Sequence, residues 1–313
     1  MRLAINDPSI EVGLVNDLAD IKTLAHLLKY DSVHRQYNVS FEIKGDFLEF
    51  SNGKKVFFTN YENPHEIPWG KYKVQTVIES SGKFLTKQEA SGHLSSGARK
   101  VILSAPSKSE EIKTIVIGVN DNLINNEDVI ISNASCTTNN AAPMVKVMLS
   151  LCEIESAYIT TVHSFTTDQK LHDAPHNDLR RARAATQSIV PTSTGAAKAI
   201  TKIFPELDGK IGGCGVRVPV PDGSFTDLTM VVKNPPTVNE INRAMKLASE
   251  GELKGILTYT EDPIVSVDVI GNPSSCVFDA GLTSVINNMV KVVGWYDNEA
   301  GYSNRLIDLV KSI

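Results

Sequence analysis

Residues 11–135 alternate short β-branched runs with stretches of helical periodicity, and this alternation limits the fold more than any other feature of the chain. "EVGLVND" (11–17) reads as a buried strand, and "DIKTLAHLLKY" (20–30) as a short helix with Leu24, Leu27 and Leu28 on one side. "GDFLEF" and "KKVFF" flank Ser51-Asn52-Gly53, where Asn and Gly tolerate the positive φ of a hairpin turn. "VQTVIES" (74–80), "KVILSAP" (100–106) and "TIVIGV" (114–119) read as further strands, with a helix over 86–95. Strands alternating with helices predict a mostly parallel, doubly wound Rossmann-type sheet covered on its faces.

Beyond Cys136 the pattern changes. "SAYITTVHSF" (156–165), "GGCGVRVPVP" (212–221), "FTDLTMVVK" (225–233) and "MVKVVGWYD" (289–297) read as longer, more amphipathic strands. Consecutive long strands predict an α+β domain with a largely antiparallel sheet, one face covered by helices over 195–204 and 238–250. "AGYSNRLIDLVKSI" reads as a final helix with Leu306, Leu309 and Val310 inward. The expected division is α/β throughout: one domain over 1–135, a second over 136–298, and a helix over 299–313 returning to the first domain.

Several classes of function are excluded early. The net charge of −5 gives no basis for a nucleic-acid or acidic-membrane partner. No stretch approaches the ~20 apolar residues of a membrane span, and "MRLAINDPSIEV" reaches Asp7 before an apolar run could serve as a signal peptide. Cys136, Cys152, Cys214 and Cys276 lie far apart with no CxxC pair, which argues against a metal site or a disulfide framework and predicts a reduced, cytoplasmic protein.

The chemistry gathers around "ISNASCTTNNAAP" (131–143). Apolar spacing at Met144, Val147, Met148 and Leu151 predicts a helix after Cys136, with Pro143 near its first turn. Cys136 then sits at a strand-to-helix turn, where the helix dipole favours a thiolate. Ser135 and Thr137 add hydroxyls that could hold an oxyanion or phosphate oxygen; a buried cysteine at a tight turn is the alternative. His163 ends "YITTVH" on a strand that can return beside that helix, and a histidine next to a cysteine is the usual way to activate the nucleophile. "TSTGAAKAI" (192–200) puts Thr194 and Gly195 at a helix N-terminus, which either binds an anion or is a plain cap. Arg217 is a lone charge in an apolar strand and suits phosphate. "DLRRARAATQ" (178–187) reads as a structural or interface loop.

Together these stretches resemble glyceraldehyde-3-phosphate dehydrogenases of the bacterial type. "LAHLLKYDSVH", "ARKVILSAPS", "SNASCTTN", "TTVHSFTTDQK", "TSTGAAKAI" and "WYDNEAGYSNR" follow the family order. The resemblance implies a phosphorylating, NAD-dependent oxidation of glyceraldehyde 3-phosphate through a thioester on Cys136, with His163 as base. It implies that Thr166 and Arg217 contact the substrate phosphate, and Ser135, Thr137, Thr194 and Gly195 the attacking phosphate. Asp17 would accept from the adenosine ribose hydroxyls and disfavour NADP, while Ser104 and Asn298 match cofactor contacts. Asn298 reads equally well as a helix-start residue. A homotetramer with the 167–190 loop between subunits is also implied. The rivals are an erythrose-4-phosphate dehydrogenase, a non-catalytic relative that has lost NAD binding, and a cysteine hydrolase.

The chain departs from the family at its start. "MRLAIN" reads as the first strand and "DPSIEVGLVND" as already the second, so the "GFGRIGR" fingerprint and its helix are absent between them. A segment missing at this junction, a deletion, or a protein that has abandoned NAD would each account for it. The first is preferred, because both sides of the junction read as family sequence. Asn140 stands where many relatives carry a second cysteine, and Glu62 and Asn63 where a basic residue often lies near the adenine.

Overall fold

The computed structural model describes residues 1–313, which divide into two compact units. The first comprises Met1–Lys113, Ile124–Asn133 and Leu306–Ile313; the second comprises Thr114–Leu123 and Ala134–Arg305.

The first unit opens with a helix, α1 (Arg2–Asn6), and not with the strand expected of "MRLAIN". Ile5 N–H donates to the Met1 carbonyl and Asp7 N–H to that of Leu3. Ile5 is buried with Ala25, Leu48, Phe50 and Val56, so tertiary burial on one side overrides a short β-prone run. The Lys54 ammonium donates to the carbonyls of Asp7 and Ile10 just beyond the helix. The chain then runs directly into β1 (Leu14–Asn16). In α2 (Ile21–Lys29), capped by the Asp20 carboxylate, Leu24 and Leu28 are half-buried but Leu27 is 61% exposed. The buried stripe is therefore narrower than expected.

β2 (Phe41–Lys44), β3 (Phe47–Phe50) and β4 (Lys55–Thr59) form a sheet in the order β1-β4-β3-β2, with β1 parallel to β4. The predicted hairpin joins β3 to β4, with Gly53 at φ +84°. A second, four-stranded sheet holds β5 (Thr76–Glu79), β6 (Lys100–Leu103) and β7 (Ile130–Ser132) side by side and parallel, with the two-residue strand Lys113–Thr114 beyond β7. α3 (Lys87–Ser95), closed by a Thr86–Glu89 capping box, connects β5 to β6. The parallel architecture is thus realised in two pieces, with β1 and β5 each at the end of its sheet.

"TIVIGV" is not a strand beyond the two-residue piece Lys113–Thr114. The Asn120 side chain explains why. Its Oδ1 accepts from Val116 N–H and its Nδ2 donates to the Thr114 carbonyl, folding the segment into a turn with Gly118 at φ +80°.

The second unit is built on an eight-stranded sheet. Its strands are β8 (Glu153–Ser164), β9 (Val190–Thr192), β10 (Ile211–Val218), β11 (Ser224–Lys233), β12 (Leu257–Thr260), β13 (Cys276–Asp279), β14 (Ser284–Ile286) and β15 (Met289–Tyr296). The order is β9-β10-β8-β11-β15-β13-β12, with β14 also on β15. Only β8/β10 and β12/β13 are parallel. α4 (Cys136–Leu151), α5 (Ala196–Ile203) and α6 (Val238–Glu250) cover one face. Met144, Met148, Ile200, Ile241 and Met245 pack there on Ile159, Leu228, Met230 and Val292. Pro143 lies in the interior of α4, beyond the first turn where it was expected, and leaves the Asn139 carbonyl without its usual helical donor.

α7 (Ala300–Ser312) closes the chain. Leu309 is fully buried as expected, whereas Leu306 and Val310 are only half-buried.

Candidate active site

The site begins where α4 begins. Ala134 adopts a left-handed conformation, φ +57°, which turns the chain out of β7 and into the helix. Ser135 is the N-cap and accepts from Thr138 N–H at 3.1 Å, so Cys136 is the first helical residue. Cys136 is partly exposed, while Thr137 and Thr138 behind it are buried.

The histidine arrives on β8. Ile159, Thr161 and His163 alternate along it as buried residues, so His163 projects from the face that α4 covers. Its Nε2 lies 3.3 Å from Cys136 Sγ. On the parallel neighbour β10, Arg217 pairs in register with His163, which sends both side chains to the same side. Arg217 Nη1 lies 2.7 Å from His163 Nδ1 and donates to the Ser164 carbonyl at 2.8 Å. His163 Nδ1 also lies 2.8 Å from that carbonyl. Sequence spacing alone brought Cys136 and His163 to the same sheet edge and left Arg217 as a lone charge in an apolar strand.

Tyr296 was missed by sequence reasoning. Its buried hydroxyl is 2.9 Å from both Thr137 Oγ1 and Thr161 Oγ1, pinning the first turn of α4 to β8. Its ring meets that of His163 edge-on, with centroids 5.9 Å apart. The signal was present in "WYDNEAG", which drew attention only to Asn298. The Thr137 hydroxyl is thus engaged with Tyr296.

The electrostatics of the free protein also differ from expectation. Burial pushes the Cys136 thiol up, while the Arg217 charge and the N–H and hydroxyl of Thr137 pull the other way. Burial, and then Arg217, hold His163 down to about 3. The resting pair is therefore a neutral imidazole beside a thiol. The helix dipole moderates the cost of a thiolate here but does not overcome desolvation.

The anion-binding candidates lie on the same unit. Gly195 is the exposed N-cap of α5 and has no side chain to satisfy the first-turn N–H groups. Thr194, one residue before the cap, accepts from Ala196 N–H through Oγ1 at 3.2 Å. Thr166 is half-buried, and its N–H donates to the Gln169 side chain. In the following loop, Arg181 pairs with Asp168 and Arg183 with Asp173, while Leu171, Leu179 and Ile189 are 65%, 81% and 70% exposed.

Asn298 does not cap the final helix. The Asp297 carboxylate, not Asn298, caps α7, accepting from the N–H groups of Glu299 and Ala300. Asn298 Oδ1 instead accepts from the hydroxyls of Ser164 and Ser224, each at 2.8 Å. The half-buried amide is thereby held by its oxygen, leaving its amino group as the donor for a ligand. On the first unit, Asp17 follows β1 and is exposed; one carboxylate oxygen accepts from Ala19 N–H and the other is available. Ser104 follows β6, and its N–H donates to the Glu79 carbonyl. Each unit by itself offers a group of a kind that suits a nicotinamide dinucleotide, a carboxylate acceptor on the first and an oriented amide donor on the second.

A family model described as the C-terminal domain of glyceraldehyde 3-phosphate dehydrogenase matches residues 135–298. One described as the NAD-binding domain of that enzyme matches residues 1–87. Curated relatives include a glyceraldehyde-3-phosphate dehydrogenase of Mycobacterium avium, 53% identical over 303 residues, or 96% of this chain and 89% of the relative. Another, from Geobacillus stearothermophilus, is 51% identical over 314 residues, or 100% of this chain and 93% of the relative. No helix of the chain is long and apolar enough to cross a membrane.

Proposed function

Because the chain belongs to the glyceraldehyde-3-phosphate dehydrogenase family, we propose that it oxidises glyceraldehyde 3-phosphate to 1,3-bisphosphoglycerate in glycolysis, using NAD and inorganic phosphate. The observation that carries this reading is the approach of Cys136 Sγ to His163 Nε2 at 3.3 Å, with Arg217 beside the pair.

In this reading His163 donates Nδ1–H to the Ser164 carbonyl, so the Nε2 lone pair faces the thiol and takes its proton as sulfur attacks the aldehyde carbon. The new S–C bond leaves an alkoxide on the former carbonyl oxygen, which takes the proton back from His163 to give a thiohemiacetal on Cys136 and a neutral imidazole. NAD, when bound, supplies the hydride acceptor. His163 removes the hydroxyl proton of the thiohemiacetal as the thioester forms. Phosphate oxygen then attacks the thioester carbon, the S–C bond breaks, and the thiol is restored. Splitting the oxidation at a covalent thioester retains the energy of the aldehyde for the acyl phosphate. We assign the substrate phosphate to Thr166 and Arg217, and the attacking phosphate to Ser135, Thr137, Thr194 and Gly195. Asp17, Ser104 and Asn298 are assigned to the cofactor.

The exposed leucines of the 167–190 loop support a homotetramer. A cytoplasmic site of action follows from the glycolytic role.

Titration of the 313-residue chain with NAD, followed by steady-state assays on triose and erythrose phosphates, tests the proposal. Near-stoichiometric NAD binding with faster turnover of the triose would uphold it. A folded protein that binds no NAD would overturn it in favour of a non-catalytic relative, and faster turnover of the tetrose would transfer it to the erythrose enzyme.

A further inference from the structure

We infer that Ser164 and Ser224 are positioning residues for the cofactor's nicotinamide, acting through Asn298. The inference rests on the assignment of Asn298 to the cofactor and extends it to two residues that no motif singled out.

The geometry is specific. Ser164 ends β8 and Ser224 begins β11, and both are fully buried. Ser224 Oγ accepts from Ser164 N–H at 3.1 Å, which directs its own proton toward Asn298 Oδ1 at 2.8 Å. Ser164 Oγ donates to the same oxygen, also at 2.8 Å. Two hydroxyl donors on one carbonyl oxygen fix the plane of the amide and distinguish its oxygen from its nitrogen. The rotated amide would give up both hydroxyl donations to its oxygen and press its N–H₂ on Ser224 Oγ, which already accepts from Ser164 N–H. The Nδ2 donors are therefore turned away from the serines, in the orientation that a carboxamide acceptor on a pyridine ring requires. An asparagine free to turn about its last bond would lose this discrimination.

Ser164 has a second role. Its backbone carbonyl lies 2.8 Å from both His163 Nδ1 and Arg217 Nη1. One residue thus orients the base with its carbonyl and the cofactor-facing amide with its hydroxyl. This couples the proton acceptor and the face presented to the hydride through a single rigid strand end.

The test compares NAD with ADP-ribose, which lacks the nicotinamide, in calorimetric titrations of the full chain and its Ser164→Ala, Ser224→Ala and Asn298→Ala variants. Each serine variant should weaken NAD binding about 3- to 10-fold, the usual effect of one neutral hydrogen bond, while ADP-ribose binding holds. In the Asn298→Ala background the same serine changes should have no further effect on the NAD to ADP-ribose ratio. The facial selectivity of hydride transfer from a deuterated aldehyde should also fall in the serine variants. Equal losses for both nucleotides, or serine effects that persist without Asn298, would overturn the inference and leave the dehydrogenase reading intact. Failure of the unsubstituted chain to bind either nucleotide would overturn both. Cys136 alkylation by iodoacetamide at the unsubstituted rate shows that each variant keeps a folded site. If Ser164→Ala does not fold, Ser224→Ala and its cycle with Asn298 decide the matter.

Discussion

Arg217 stands in register with His163 on the adjacent parallel strand, its guanidinium nitrogen 2.7 Å from the imidazole Nδ1. Burial, and then this fixed positive charge, disfavour the imidazolium and keep the resting imidazole neutral. The guanidinium also places a forked donor beside the nucleophile, where the charged end of a phosphorylated aldehyde would need one.

Replacing Cys136 by serine should lower kcat by about 10³-fold or more, because a hydroxyl beside a neutral imidazole is a much poorer nucleophile and leaving group. The fold should persist, since Cys136 is partly exposed and packs little. Steady-state turnover and circular dichroism check the two halves. A serine variant with near-normal turnover would remove Cys136 from the mechanism.

His163→Asn should cost about 10²- to 10⁴-fold in kcat, the usual contribution of a positioned general base. The accompanying change is a shallower rise of the rate with pH, read from kcat profiles of the two proteins.

Arg217→Met should raise KM for the phosphorylated aldehyde about 10- to 100-fold, the range for a lost hydrogen bond to a charged group. Glyceraldehyde without its phosphate should be much less affected. Equal losses on both substrates would assign Arg217 to holding His163 and not to the phosphate.

The buried neutral histidine carries a stability signature. Its folded pKa of about 3 lies below the ordinary 6.5, so the unfolded chain binds this proton more readily between those values. The contribution is complete above about 6.5 and is lost as pH falls toward 3. Urea unfolding from pH 7.5 to 4.5 should therefore show a steeper acid loss for the native protein than for His163→Asn, with the curves parallel above pH 7.

Gly294 lies on β15 against α4. A methyl group there would sit 2.5 Å from Cys276 Sγ and 3.0 Å from Met144 Cε. Gly294→Ala should destabilise the second unit by about 1–3 kcal/mol through overpacking, measured as a lower denaturation midpoint. It should also slow Cys136 alkylation if α4 shifts.

Legibility followed the range of the interactions involved. The hairpin at Gly53, the helices α2 and α3 and the long strands of the second unit carry their signal in local periodicity and turn residues, and they were read at nearly their final positions. Two apolar runs were misread. "MRLAIN" became helical because Ile5 packs against residues far along the chain, and "TIVIGV" became a turn because one asparagine side chain replaced the ladder hydrogen bonds. An apolar run records that a segment is buried, not which backbone conformation buries it.

By itself the sequence determined the two styles of sheet, the strand-to-helix turn holding Cys136, and the residue types from which a thiol-based chemistry could be assembled. All of these follow from local periodicity and side-chain chemistry. Only the tertiary structure decided that Arg217 stands beside His163, that Tyr296 ties α4 to β8, that Asp297 caps α7 while two serines hold Asn298, and that the resting thiol is protonated. Those outcomes depend on strand register and desolvation, which arise from contacts between residues distant in the chain and have no local signature.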